Sequence, residues 1–310
     1  MSAERKVLSA EGVGTEHSAL STQHSFRHST LSTRMAPRVA LYAFTIAISL
    51  MFMFPFAWTL SSSLKSSQEI RAYPPSLIPR IVRWENYPTA WTTVEFGPYF
   101  LNSTIVAVTT LIGGLLTGLL VAYGFARFRF PLREALFALC LSTLMLPPEV
   151  TIIPLFVIFK NLGWLDTLLP LIVPSFFGGG AFTIFLLRQF ILSLPFELDE
   201  AATIDGAGKV RILLDIIIPN AKPALATAAV FSFIAHWNEF FGPLIFLNSK
   251  ENFTIPLGLY TLRIYAGDPG EPKDQLLMAG SVIATLPIVV VFFLAQRYFV
   301  QGIVTSGLKG

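Results

Sequence analysis

Three carboxylates, two alanines and a glycine stand close together at Glu197, Asp199, Glu200, Ala201, Ala202 and Gly206, in a polar segment between two long apolar runs. Leu194-Pro195 opens the segment. Proline suits the first turn of a helix, because its missing N–H would find no partner there. The acidic residues crowd the N-terminal half, where the helix dipole favours negative charge. Ala201 and Ala202 leave a small surface that another body can approach closely. Asp205-Gly206 reads as a stop, since glycine takes the left-handed conformation that ends helices. A second helical run from Lys209 to Ile218 is expected to close at Pro219. The chemistry on offer is docking: a helix, a sharp turn and a second helix at a membrane surface. An interfacial helix pair with no partner is the plain alternative.

Two other polar islands interrupt apolar sequence. Glu149 follows Pro147-Pro148, where an ionised carboxylate within a bilayer costs about 3 kcal/mol unless it faces a partner or water. It is expected either beside a polar path through the membrane or in a structural pair with a group such as His236. His236-Trp237-Asn238-Glu239 is the second island. Its Asn and Glu can hydrogen-bond hydroxyl groups and its Trp can stack on a sugar ring, but the same residues can also tie helices together.

Several chemistries are excluded. Gly206-Ala207-Gly208-Lys209 resembles the end of a phosphate-binding loop, yet position 203 is Thr and position 210 is Val, where the motif needs Gly and Ser or Thr. The single cysteine, Cys140, lies in an apolar run, so neither a disulfide framework nor a metal cluster is expected. No hydrolase signature occurs in the apolar runs, and no catalytic residue or bound cofactor is expected.

These groups need elements to hold them. The 310 residues are 53% hydrophobic and 13% charged, with mean hydropathy +0.63, far from the soluble range. Crossing about 30 Å of hydrocarbon takes roughly 20 apolar residues. Runs of that kind are Val39–Leu60, Tyr99–Ala126, Ala135–Phe159, Leu168–Leu187, Pro223–Leu247 and Leu276–Gln296. The expectation is an all-α membrane protein with six transmembrane helices and both termini on one side. Gly114, Gly118, Ala122 and Ala126 repeat every four positions on the second span. That small-residue stripe suits close helix contact, within the chain or at a seam between subunits.

Basic residues orient the chain. With the N-terminus inside, 14 of the 22 Lys and Arg fall on the inner side, Arg127, Arg129 and Arg133 among them. The Glu200 helix, between spans four and five, and both termini are then cytoplasmic. The net charge of +3 comes with no basic stripe that would suit a nucleic acid.

Residues 1–37 are Ser-, Thr- and His-rich, with His17-Ser-Ala-Leu-Ser-Thr22 echoed as His28-Ser-Thr-Leu-Ser-Thr33. This tail is expected to be disordered, with Met35 an alternative start, and residues 38–310 form one membrane domain.

The hairpin as a whole resembles the coupling motif of ABC importer permeases, the inner-membrane components of binding-protein-dependent transport systems. Glu200, Ala201, Ala202, Gly206, Ile216, Ile218 and Pro219 keep its spacing, with Ile218 where the family usually has Leu. Flanking pieces, including Tyr123-Gly124-Phe125-Ala126-Arg127, Gly163-Trp164-Leu165-Asp166-Thr167 and Trp237-Asn238-Glu239-Phe240, are similar to the carbohydrate-uptake, maltose-permease-like branch. The resemblance covers roughly Arg38 to Gly310.

It implies a multi-pass subunit of a prokaryotic inner membrane, paired with a second permease subunit, most simply as a heterodimer. Two ATP-binding subunits would dock on the cytoplasmic side, and an extracytoplasmic binding protein would deliver the solute. ATP and Mg would act in the partner subunits. Glu200 would make a charged contact to the ATPase, Ala201 and Ala202 would fit its cleft, Asp205 and Gly206 would form the turn, and the C-terminus could reach toward that interface. Transport would proceed by alternating access, for sugars or oligosaccharides, with a polyol, glycerol phosphate, an amino acid or a peptide as the alternative solute. An ion-coupled secondary carrier is the alternative of another class, and the inverted repeats it should show are not found in the sequence.

Overall fold

The computed structural model describes residues 38–266 and 273–307, and all regular structure among them is helical. The disorder expected of residues 1–37 falls outside the described residues, as do the last three positions of the C-terminal tail. By internal contacts the chain divides into two units, Met1–Trp58 and Thr59–Gly310. Helix α1 (Arg38–Ser63) starts in the first unit, and its apolar side chains over 38–57 are exposed, as a lipid-facing surface would be.

In the second unit α2 (Phe96–Arg127) comes first among the long helices. Its 32 residues reach about 48 Å at 1.5 Å per residue, longer than a bilayer core is thick. There follow α3 (Arg133–Ser142), α4 (Pro148–Asn161), α5 (Ala181–Ser193), α6 (Glu197–Ile204) and α7 (Lys209–Asn220). The chain continues through α8 (Lys222–Trp237), α9 (Phe241–Phe246), α10 (Ile255–Ala266) and α11 (Asp274–Gly307). Four helical stretches are long and apolar enough to span a membrane: Arg38–Ser63, Phe96–Arg127, Leu169–Ser193 and Asp274–Gln296. Two bent pairs raise the number to six if each is counted as one span.

Two of the six runs expected as straight spans are interrupted. Ala135–Phe159 is not one rod: its two halves meet at 99°. Pro147 is extended and Pro148 starts α4, so neither residue can continue the ladder from α3. Pro223–Leu247 is also interrupted. Its helix α8 ends at Trp237, where the backbone and side-chain amides of Asn238 both donate to the Ile234 carbonyl, at 3.1 and 2.9 Å. The apolar sequence resumes as the separate α9.

Pro219 stands one residue before the end of its helix, close to where the sequence put the stop. Residues Leu213–Ile217 widen into a π turn, and the helix runs on to Asn220 before α8 departs at 78°. A wider turn relieves the clash between a proline ring and the carbonyl four residues back, so the helix survives it.

Helix α2 is the central post, packed by α5, α8 and α10. In the bilayer this contact rests on close fit rather than on expulsion of water. The small-residue stripe supplies that fit inside the chain. A Cβ added to Gly179 would lie 2.1 Å from the Gly114 carbonyl oxygen and 2.9 Å from the Gly118 Cα, so the two backbones touch. Ala122 and Ala126 extend the stripe into a cluster with Leu187, Ile191, Ile212 and Ile217.

Candidate functional site

The helix–turn–helix expected between Pro195 and Pro219 is present as α6 and α7. Glu197, Asp199 and Glu200 stand in the first turn of α6, where unpaired N–H groups and the dipole favour carboxylates. The turn that ends it is a complete Schellman motif: Ala207 N–H donates to the Ala202 carbonyl at 2.9 Å, and Gly206 N–H to the Thr203 carbonyl at 3.1 Å. Gly206 has φ +84°, a conformation a side chain would resist. The glycine therefore fixes the angle between the two helices.

The residues singled out in this segment are not equivalent. Glu200, Ala201, Asp205, Gly206 and Pro219 are exposed, whereas Ala202, Ile216 and Ile218 are half-buried. Ala202 turns toward the apolar cluster beneath the hairpin. Ala202, Asp205 and Ile216 line one open cleft of about 190 Å³ with Ala207, Arg211 and Asp215. Arg211 and Asp215, which sequence reasoning passed over, form an ion pair at 3.2 Å along the wall of the cleft.

The attachment of the hairpin was not foreseen. Asp199 is the one buried residue of α6, and its carboxylate faces Arg127 Nε at 3.3 Å, with side chains 4% and 5% exposed. Arg127 also donates to the Leu194 carbonyl at 3.1 Å and lies over the Phe196 ring, 5.4 Å from its centroid. One turn back on α2, the Tyr123 hydroxyl donates to the Lys209 carbonyl at 3.1 Å. Nearby, Arg188 of α5 meets both carboxylate oxygens of Glu134 at 3.1 Å and covers Phe137 at 4.0 Å, which ties α3 to α5. Arginines at the ends of apolar spans are read from sequence as orientation signals, which hid their pairing.

The second set of candidate residues is dispersed. Glu149 is exposed in the first turn of α4, and no hydrogen bond or ion pair joins it to His236 among the described residues. Trp237 is a core residue rather than an open stacking surface. Its indole donates to the Ala284 carbonyl at 3.0 Å, and it stacks on Phe233 and meets Phe100 edge-on. Asn238 caps α8, and exposed Glu239 accepts the Gly242 N–H at 2.9 Å. Of these residues, Trp237 and Asn238 are engaged in packing and ending the helix, His236 is half-buried, and the Glu149 and Glu239 carboxylates are exposed.

Residues 114–305, which hold the hairpin and most of the helices around α2, match the family described as the binding-protein-dependent transport system inner membrane component. The chain belongs to that family. It is a permease subunit of an ABC importer, a multi-pass protein of the bacterial inner membrane, and not an enzyme. It is 37% identical over 269 residues to a diacetylchitobiose uptake system permease of Streptomyces coelicolor, covering 86% of this chain and 87% of that one. An arabinooligosaccharides transport permease of Bacillus subtilis is 33% identical, over 88% of this chain and 96% of its own. A permease for sn-glycerol-3-phosphate from Yersinia pestis is 37% identical, with 83% and 92% covered. Among solved structures, a bacterial ABC transporter that imports the acidic polysaccharide alginate superposes with a TM-score of 0.72 at 25% identity, over 86% of this chain and 98% of that one.

Proposed function

We propose that this permease imports a sugar or short oligosaccharide, and that α6 is its coupling helix. The observation that carries the coupling reading is the pairing of exposed Glu200 and Ala201 with a turn locked at Gly206. A rigid, polar, protruding corner is what a separate motor subunit needs in order to move a membrane helix. Glu200 offers a charge-assisted contact to that subunit, Ala201 allows close approach, and the Ala202–Ile216 cleft receives a side chain from it. The names of three similar proteins, for diacetylchitobiose, arabinooligosaccharides and alginate, support a sugar.

In this reading both termini and α6 are cytoplasmic, in keeping with the basic residues that flank the hairpin. The chain pairs with a second permease subunit above two ATP-binding subunits, and a solute-binding protein docks on the far side. ATP and Mg act in the partners. Closure of the ATPase pair moves α6, the spans rock, and the central path opens outward and then inward. Glu149, His236 and Glu239 are the polar groups this chain brings toward that path. The sn-glycerol-3-phosphate relative, as similar as the first, supports glycerol phosphate as the second reading.

The test is the complete importer purified in mild detergent and reconstituted with its binding protein. Wild type should retain its ATP-binding subunit, and Gly206→Pro should lose it or hydrolyse ATP without import. Vesicles should then take up diacetylchitobiose or an arabinooligosaccharide in preference to sn-glycerol-3-phosphate. Purification of wild type without an ATPase, followed by solute transport by this chain alone, would overturn the coupling reading. Preferential uptake of sn-glycerol-3-phosphate would overturn the sugar.

A further inference from the structure

The contact between α6 and the rest of the chain is unusual in kind. Most surface helices are fastened by an apolar stripe, but the single buried side chain of α6 is the carboxylate of Asp199. Its partner, Arg127, closes the last turn of α2. Four residues earlier on the same face of α2, Tyr123 holds the first residue of α7 through the Lys209 carbonyl. One helix end thus grips both limbs of the hairpin, one limb through charge and the other through a hydrogen bond. Farther along α2 the line of Leu116 and Leu120 is exposed, so the hairpin meets that face at its end.

We propose that Tyr123 and Arg127 are positioning residues that form the joint between the hairpin and α2. Through them a displacement of α6 becomes a displacement of the long central helix. The inference rests on the coupling reading of α6. Its physical basis is the difference between apolar and ionic attachment. An apolar stripe can slide when pushed, because one packed arrangement resembles the next. A buried ion pair cannot, since separating it leaves two uncompensated charges away from water. Arg127 is held in place from three directions, by Asp199, by the Leu194 carbonyl and by the Phe196 ring. Asp199 Oδ1 and Arg127 Nε are both buried without a hydrogen bond, so the two groups hold each other by charge and neither has a second anchor at that atom. Because Tyr123 grips α7 separately, the hairpin cannot pivot about the ion pair alone.

The experiment uses the complete importer in a Cys140→Ser background, with Leu116→Cys carrying an environment-sensitive fluorophore on the exposed face of α2, where Leu116 is 59% exposed. Addition of Mg and a non-hydrolysable ATP analogue should change the emission in the otherwise wild-type complex. Arg127→Met with Asp199→Leu removes both charges together and leaves an apolar pair, which avoids stranding either charge. That double variant should keep its ATP-binding subunit and lose the emission change roughly tenfold, the size expected of a coupling contact. Tyr123→Phe should weaken the change with the subunit also retained.

A full emission change in both variants would overturn the joint, and so would the absence of a change in the wild-type complex. Failure of both variants to assemble would assign these residues to folding instead. An otherwise wild-type complex that retains no ATP-binding subunit would sink the coupling reading itself, a result distinct from all of these.

Discussion

Asp166 holds Ser249 twice. Its Oδ1 accepts the Ser249 N–H at 2.8 Å, and its Oδ2 accepts the Ser249 hydroxyl. The same Oδ1 takes the Asn248 N–H at 2.9 Å, while the Asp166 N–H donates to the Phe246 carbonyl at 2.8 Å. Asp166 has φ +59°, so this carboxylate also maintains a left-handed backbone that a non-glycine residue seldom adopts. The loop before Leu169 and the loop after α9 are thereby stapled together.

These donors, the Ser249 hydroxyl first and then the Ser249 and Asn248 N–H groups, hold the Asp166 carboxyl well below the usual carboxylate range. A depressed folded pKa gives stability that is present above the unfolded value, near pH 4, and lost as pH falls toward the folded one. Asp166→Asn should lower the thermal midpoint at pH 7. The gap from wild type should stay constant down to about pH 5 and shrink below about pH 4. Melts followed by tryptophan fluorescence across that range would check it. An equal gap at pH 3 and pH 7 would show that the charge is not the source.

Gly206→Ala should cost about 1–2 kcal/mol, because a Cβ disfavours the left-handed conformation at this turn. There is open space around the site, with nothing within 4 Å of an added Cβ. The penalty should therefore fall on the hairpin alone. The global melt should move little, while protease cleavage between 204 and 209 accelerates. A large fall in the global melt with unchanged cleavage would contradict this.

At Gly179 the outcome should be far harsher. Its Cβ would overlap the Gly114 carbonyl, so Gly179→Ala should abolish recovery of monodisperse protein. Gly178→Ala shares the positive φ but meets nothing within 4 Å, and should cost about 1 kcal/mol. Size-exclusion profiles of the two variants side by side make the comparison, and equal recoveries would refute the backbone contact.

Trp237→Phe tests whether the indole packs or binds solute. Loss of its hydrogen bond to the Ala284 carbonyl should cost about 1 kcal/mol, and the smaller ring gives up packing in the core as well. Stability should fall while the KM for imported solute is unchanged. A raised KM with full stability would return Trp237 to the transport path.

The hairpin was legible because its signals are local. Pro195, the first-turn acids and Gly206 each act within a turn or two of where they stand. The two proline bends were half legible: Pro147-Pro148 marked a weak point, but the angle depends on what the next helix packs against. Pro219 marked the end of its helix to within one residue, but not the π turn that precedes it. The Arg127–Asp199 pair was hidden because each residue had a sufficient local explanation, as a flanking charge and as a dipole partner. Likewise the four-residue stripe from Gly114 announced a close contact without naming Gly179 as its other side.

The glycine turn at 178–180 carries a consequence for how the chain is made. This part of the Leu169–Ser193 stretch is not helical, and bare amide and carbonyl groups cannot rest against lipid. Synthesis runs from the N-terminus, so the groove beside Gly114 and Gly118 exists before residues 178–180 emerge. The cover that these bare peptide groups need is therefore already synthesised when they appear, and it is the glycine face of α2.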